Sequence, residues 1–278
     1  MNKIFVFQEI AYKINFLKKQ NKNIITNFYP NIEIVTNWIN SGNFYLVQDA
    51  ETLILLRYNK NFVNLYFVTT SYESLQNSLT HLNGEIENPL FVTGLVGKMS
   101  DISLTSDVFL RSGFREYATL CRMSRKVPDK DYFDPKSNVV SAQIKHANNI
   151  LNLLYTYFDP LSEQLPDIAE IKRLIDNNSI GIYLLNNQIL GFVIYIIKGY
   201  TSYLKFLFVH PEHRDKKIGS ALLSNYYLNS KDAKLMILWV LLSNENAVEI
   251  YKHYGFQMDN FYNIVLTKNL INNGKENK

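Results

Sequence analysis

The spacing of apolar positions changes several times along the chain. From Ile4 to about Leu17 apolar residues recur every three or four positions, which predicts a helix with weak caps. "NIEIVTNWINSG", Asn31 to Gly42, predicts a second helix closed by its glycine. "NFYLVQD" and "TLILLRYN" then predict two strands around the turn Asp49-Ala50-Glu51. "FVNLYFVT", Phe62 to Thr69, predicts a third strand. A helix opening on Ser71 follows, then a strand beyond Pro89, a short helix ending at Gly113, and "REYATLCRMSR" as a strand closing this half.

The run from Lys126 to Asn138, "KVPDKDYFDPKSN", is rich in Pro, Asp and Lys and has no periodicity, so it reads as a linker. Beyond it the order repeats. Helices are expected from about Gln143 to Tyr157 and from about Asp167 to Asp176. Two strands flank the turn Asn186-Asn187. A strand from Tyr203 to Val209 leads into a helix, then "KLMILWVLL" predicts a strand, "NENAVEIYKHYGF" a short helix ending at Gly255, and "YNIVLTKN" a last strand. Gly113-Phe114 and Gly255-Phe256 stand 142 positions apart, about half of the 278 residues. Internal duplication is the economical reading: two α+β domains, 1–126 and 139–270, with a linker at 127–138 and a polar tail at 271–278.

Composition narrows the class. Hydrophobic residues make up 47% and charged residues 19%, the balance of a soluble globular protein with a sizeable core. The formal net charge of +4 is too small over this length to argue for nucleic acid. One cysteine, Cys121, leaves no internal disulfide and no cysteine-cluster metal site, which fits a reducing cytoplasm. No apolar run approaches the ~20 residues that span a bilayer, and the N-terminus acquires Glu9 early and lacks a small-residue cleavage pattern. No metal, membrane or nucleic-acid partner is therefore expected.

Chemistry concentrates in "FVHPEHRDKKIGSALLSNYY", Phe208 to Tyr227. The preceding strand is apolar on both faces and should be buried in the sheet. His210-Pro211 stops it, and Ile218 to Leu223 opens a helix. The N-terminus of a helix carries unpaired N–H groups and about half a positive charge, a natural anion site. Arg214, Lys216 and Lys217 add charge, Gly219 lets a bulky anion approach the backbone, and Ser220 adds a hydroxyl. An isolated loop of this kind would be better explained as a solvated basic turn that caps a helix. A second constellation stands behind it. In "WVLLSNENAVEIYKHYGF" a strand ends near Leu242, Asn244 or Asn246 caps a helix, and Ala247 and Tyr251 share one face of it.

Together the two stretches resemble the GNAT acyltransferase superfamily over about Val139 to Lys268. "LFVHPEHRDKKIGSALL" is similar to its strand, Arg/Gln-x-x-Gly-x-Gly/Ala loop and helix, and Asn244-x-x-Ala247-x-x-x-Tyr251-x-x-x-Gly255-Phe256 matches its second motif. The resemblance implies acetyl-CoA, or another short acyl-CoA, as acyl donor and an amine as acceptor, without a covalent enzyme intermediate. It implies that backbone amides from Arg214 through Lys216, Lys217, Ile218, Gly219 and Ser220 hold the pyrophosphate. The strand Phe206 to Val209, with Phe208 and Val209 at its end, would splay from its neighbour and pair with the pantetheine arm. Asn244 would contact that arm, and Tyr251 would protonate the leaving thiolate.

Two departures stand out. Lys217 replaces the first glycine of the loop. The strand before it, Lys205-Phe206-Leu207-Phe208, lacks the carboxylate that often serves as general base, and Glu212, His210, His146 and Glu249 have nothing that aims them at an amine. The base is left unassigned. The first half resembles the same fold with its chemistry removed: Phe109 stands at the position equivalent to Tyr251, and the strand ending at Val68 runs into its helix without a basic glycine loop. The expectation is a tandem protein with a degenerate first copy and a catalytic second copy. The rivals are a non-catalytic acyl-CoA-binding or protein-interaction module and, against the CoA loop, an aminoacyl-tRNA-dependent transferase.

Overall fold

The computed structural model describes residues 1–29, 32–82, 90–127 and 138–269. The expected linker lies almost wholly outside the described residues, and so does the polar tail. The chain forms two compact units, one made of Met1–Thr119 with the chain from Phe261 onward, the other of Leu120–Asn260.

In the first unit the elements are β1 (Asn2–Lys3), α1 (Phe7–Gln20), β2 (Ile25–Thr26), α2 (Ile32–Asn40), β3 (Phe44–Gln48), β4 (Thr52–Tyr58), β5 (Val63–Thr69), α3 (Tyr72–His81), β6 (Leu90–Gly97), α4 (Met99–Arg111) and the start of β7 (Arg115–Lys126). β3, β4 and β5 form an antiparallel ladder, and β5 begins a parallel pairing with β6. β4 is buried on both faces because helices cover both. Leu53 and Leu55 pack with α1 and α2 through Ile10, Leu17, Val35 and Ile39, while Ile54 and Leu56 pack with α3 and α4 through Leu75, Leu79, Val108 and Phe109. Period-two alternation sends successive strand residues to opposite cores.

The second unit contains the rest of β7, β8 (Val139–Ser141), α5 (Ala147–Tyr157), α6 (Ile168–Asp176), β9 (Ile180–Leu185), β10 (Gln188–Lys198), β11 (Thr201–Val209), α7 (Ile218–Asn229), β12 (Leu235–Leu241), α8 (Glu245–His253) and the start of β13 (Gln257–Asn269). β8 to β11 are antiparallel neighbours, and β12 runs parallel to β11. Asn186 and Asn187 both take left-handed φ, 50° and 62°, as a two-residue hairpin turn requires. Asp167 caps α6 by accepting the Glu170 N–H at 2.8 Å. α5 and α6 bury Ile150, Leu154, Ile171 and Leu174 against Ile182, Phe192, Phe206 and Phe208. α7 crosses the other face over two glycines. A Cβ on Gly191 would stand 2.7 Å from the Phe208 carbonyl and 2.9 Å from Leu222, and one on Gly181 would stand 2.5 Å from Asn225. These glycines let the helix lie close to the sheet.

Helix, helix, hairpin, strand, helix, parallel strand, helix is thus the order in both units. The closing strands differ from expectation. Leu120–Lys126 of β7 pairs with β12, and Tyr262–Asn269 of β13 pairs with β6. Each closing strand therefore completes the sheet of the other half of the sequence. An alternating pattern marks a strand but does not name its partner. Among the described residues no helix is long and apolar enough to cross a membrane.

Candidate functional site

β11 carries the site. It pairs with β12 only from Thr201↔Leu235 to Leu204↔Leu238, yet runs on to Val209, while β12 runs on to Leu241. The two strands diverge where the β10–β11 register shifts and leaves Lys205 as the extra residue, a bulge that bends the strand. Past Leu204 the edge of β11 that faces away from β10 has no strand partner among the described residues. The strand is not buried on both faces, as its sequence suggests. Leu204, Phe206 and Phe208 are buried, whereas Tyr203, Leu207 and Val209 are half-buried and Lys205 is exposed. The divergence leaves that second face uncovered. Phe208 itself is core, its ring tilted against those of Phe192 at 5.1 Å and Tyr157 at 4.8 Å, so only its backbone is available to a ligand.

After β11 a single 3-10 turn, Pro211–His213, leads to Asp215 and Lys217, which take left-handed φ of 65° and 59°. This double reversal starts α7 at Ile218 with Lys217 at its N-cap and no side-chain cap bond. Lys217 therefore stands where glycine is conformationally favoured, a cost of roughly 1–2 kcal/mol. Buried Ile218 pins the first turn to the core. By helix geometry the amides of Ile218, Gly219 and Ser220 have no intrahelical acceptor. A Cβ on Gly219 would meet only Val209, at 3.7 Å, so protein packing does not demand the glycine and the space above it stays open. Arg214, Lys216 and Lys217 are exposed around it, and the Lys216 ammonium is 3.1 Å from His213 Nδ1. Free amides, an open face and positive charge suit a phosphate group.

His210, Glu212 and His213 also bring potential metal-ligand atoms within 4.8 Å of one another. The adjacent Lys216 ammonium opposes a cation there.

Asn244, rather than Asn246, caps α8: its Oδ1 accepts the Ala247 N–H at 3.2 Å. That leaves its exposed amide NH2 as the group free to donate. Tyr251, on α8, is half-buried, with its ring 6.0 Å from Phe256 in an edge contact. Burial holds its hydroxyl well above the usual tyrosine pKa, and negative charge at Glu163 and then Tyr227 adds to the effect. The hydroxyl stays protonated at neutral pH.

Glu163 is a buried carboxylate that sequence reasoning missed. It lies in the loop from Phe158 to Asp167, and no motif or period marks it. The loop is tied down by Asp159, whose carboxylate accepts the Leu161 and Ser162 N–H groups and the Ser162 hydroxyl, the last at 2.7 Å. The Glu163 N–H donates to the Asp159 carbonyl at 2.9 Å. Its Oε2 is buried with no hydrogen-bond partner among the described residues. Desolvation first, and Asp159 second, push its pKa up to about 7.

The other acid–base candidates are exposed or otherwise engaged, except that His210, just past the end of β11, also has a buried Nδ1 with no hydrogen-bond partner among the described residues. Glu212 is 81% exposed. Glu249 pairs with Lys252 on the surface, His146 accepts the Gln143 N–H, and His210 packs edge-on to Tyr157 and His213. Cys121 belongs to the second unit and not, as its sequence position suggests, to the first, because β7 crosses into that unit's sheet. Its thiol is buried and burial raises its pKa, the opposite of an activated nucleophile.

The first unit repeats this corner and fills it. β5 and β6 pair only at Val63↔Phe91 and Asn64↔Val92 and then separate. β2 takes the freed edge of β5, with Ile25↔Thr69 and Thr26↔Val68. Asn27 bridges the gap. Its amide donates to Thr93 Oγ1 at 2.8 Å, the Gly94 carbonyl at 3.2 Å and the Leu65 carbonyl at 3.4 Å, and its Oδ1 accepts the Phe67 N–H at 2.8 Å. At the start of α3 the Asp49 carboxylate accepts the Ser74 and Ser78 hydroxyls. The pocket beside it, about 380 Å³, is lined by Asp49, Glu51 and Glu73, which repel phosphate. Phe109 is fully buried against Phe67 and Phe114. Asn27→Ala should cost about 2–4 kcal/mol, since several buried backbone groups lose their partner at once. Urea denaturation of the full chain checks this; an unchanged midpoint would show that Asn27 does not hold the gap closed.

The acetyltransferase (GNAT) domain family matches residues 176–258, which contain the splayed strand, the loop, α7 and α8. No curated protein sequence matches the chain significantly. Solved structures match over nearly the whole length. A GCN5-related N-acetyltransferase from Sphaerobacter thermophilus has a TM-score of 0.57 at 11% identity, covering 94% of this chain and 91% of its own. A tandem GNAT protein from the clavulanic acid biosynthesis pathway has a TM-score of 0.58 at 8% identity, with 95% of each chain covered. A conserved protein from Enterococcus faecalis, described as a probable N-acyltransferase, has a TM-score of 0.58 at 10% identity, covering 97% of this chain and 71% of its own. Residues 176–258 thus match the acetyltransferase (GNAT) domain family, and the chain as a whole has the fold of a tandem GNAT protein.

Proposed function

We propose that the second unit is an N-acyltransferase that moves an acetyl or other short acyl group from CoA to a primary amine by direct attack. The observation that carries this reading is the open divergence of β11 and β12 beside the unfilled N-terminus of α7. In the first unit the same gap is occupied by the chain itself. The free edge of β11 from Phe206 to Val209 offers backbone partners to the amide-containing pantetheine arm. The amides from Lys216 to Ser220, with Arg214, Lys216 and Lys217, take the pyrophosphate, and Asn244 donates to the arm. Tyr251, kept protonated by burial, supplies the proton that the departing sulfur needs. The acyl donor is a substrate, and the chemistry requires no metal. The first unit serves as a degenerate copy without a donor site. A single, buried, unpaired cysteine fits a cytoplasmic setting.

Calorimetry of the full chain with acetyl-CoA is expected to show one site per chain. Thiol release across a panel of amines is expected to show turnover. Two sites would overturn the assignment to the second unit. Saturable binding with no thiol release for any amine would favour a non-catalytic acyl-CoA-binding module.

A further inference from the structure

We infer that Glu163 is the general base of the second unit, taking the proton from the attacking amine; this rests on the acyltransfer reading above. The strand that could have carried a carboxylate has Lys205 at its bulge instead. Glu163 supplies one from a different element, the loop between α5 and α6. Three observations converge on it. Its Oε2 is buried and has no partner among the described residues, although a buried carboxylate oxygen is costly to leave unbonded. Its backbone is fixed by the Asp159 turn, which sets where the side chain leaves the loop. The loop begins at Phe158, whose ring packs on Phe206 and Phe208 of the splayed strand at 5.2 and 6.4 Å, and the Glu163 carboxylate contributes to the raised pKa of Tyr251. The titratable groups that bear on this pair are Asp159 from the same loop, Tyr251 from α8, and Tyr227 from α7, which acts on Tyr251.

The proton count closes. The amine nitrogen bonds to the acyl carbon and loses one proton to the Glu163 carboxylate. The carbon–sulfur bond breaks, and the sulfur receives one proton from the Tyr251 hydroxyl. Return of the proton from Glu163 to Tyr251, through solvent, resets both groups. The products are an amide and free CoA thiol. Burial and Asp159 bring the Glu163 pKa to about 7, near the optimum for a base working at neutral pH. The amine attacks as the neutral base; an ammonium ion first releases one proton to solvent.

Glu163→Gln keeps size and polarity and removes the base. With acetyl-CoA and the best amine of the panel, kcat at pH 7 should fall about 10²–10⁴-fold while the calorimetric affinity for acetyl-CoA stays within threefold. The wild-type rate should rise with pH along a limb centred near 7. That limb should vanish in Glu163→Gln and persist in Glu163→Asp, which a merely structural role would not produce.

A second readout needs no turnover. A carboxyl whose folded pKa lies above its unfolded value binds more protons when folded, so its contribution to stability is present below about pH 4.5 and is lost as pH rises through about 7. The Tm of Glu163→Gln relative to wild type should therefore rise between pH 5 and pH 8. Near-normal kcat with the limb intact would overturn Glu163 as base and leave the acyltransfer reading standing. A wild-type protein that binds acetyl-CoA yet acylates no amine would overturn both.

Discussion

Tyr251→Phe is expected to lower kcat about 10²–10⁴-fold while acetyl-CoA affinity stays nearly constant. The substitution keeps the ring, its edge contact with Phe256 and the burial of the α8 face, and removes only the hydroxyl. A thiolate leaves more readily when an acid protonates it, and the interaction with the hydroxyl strengthens only as the carbon–sulfur bond breaks. Its loss therefore falls on kcat rather than on binding. Because burial, Glu163 and Tyr227 all push the Tyr251 pKa upward, the hydroxyl should impose no basic limb on the rate at ordinary pH. Steady-state and single-turnover thiol release, measured where chemistry limits the rate, check the prediction. A variant within a few-fold of wild type would remove Tyr251 from the mechanism and leave protonation to water. Phe109→Tyr in the first unit should confer nothing, since Phe109 is wholly buried and β2 takes the edge of β5 that a donor would need.

What the sequence discloses here follows the physical origin of each signal. Helices and strands are legible because burial imposes a period, and even the capping of α3 by Ser71 is visible, with Ser71 Oγ accepting the Ser74 N–H. The basic loop and the Asn244–Tyr251 spacing are legible because they are local. Strand partners are not local. That β7 completes the sheet of the second unit and β13 that of the first depends on pairing across more than a hundred residues, to which an alternating pattern is blind. Glu163 was invisible for a related reason. Its burial and its electrostatic effect on Tyr251, 88 positions later, are properties of the fold, and a lone glutamate in a loop carries neither in its letters. The filled gap of the first unit was half legible. The missing glycine loop could be read directly, but the role of Asn27 could not, because its four partners lie on two distant strands.

Gly219→Glu is expected to weaken acetyl-CoA binding by about 1–3 kcal/mol, roughly 5- to 150-fold, without unfolding the protein. The two halves of that statement rest on the same contact. A Cβ at Gly219 would meet only Val209, at 3.7 Å, an ordinary contact, and the backbone there is helical rather than left-handed, so the fold accommodates a side chain. The new carboxylate then stands in the space above the first-turn amides and brings negative charge to where the pyrophosphate must lie. It also takes up part of the positive field of Arg214, Lys216 and Lys217. Gly191 gives the opposite case, since a Cβ there would press on the Phe208 carbonyl and on α7, and a loss of binding in such a variant would say only that the fold had moved. Calorimetry with acetyl-CoA, alongside a thermal melt of each variant, separates the two. Unchanged affinity in Gly219→Glu with an unchanged melt would mean that the donor does not use the N-terminus of α7.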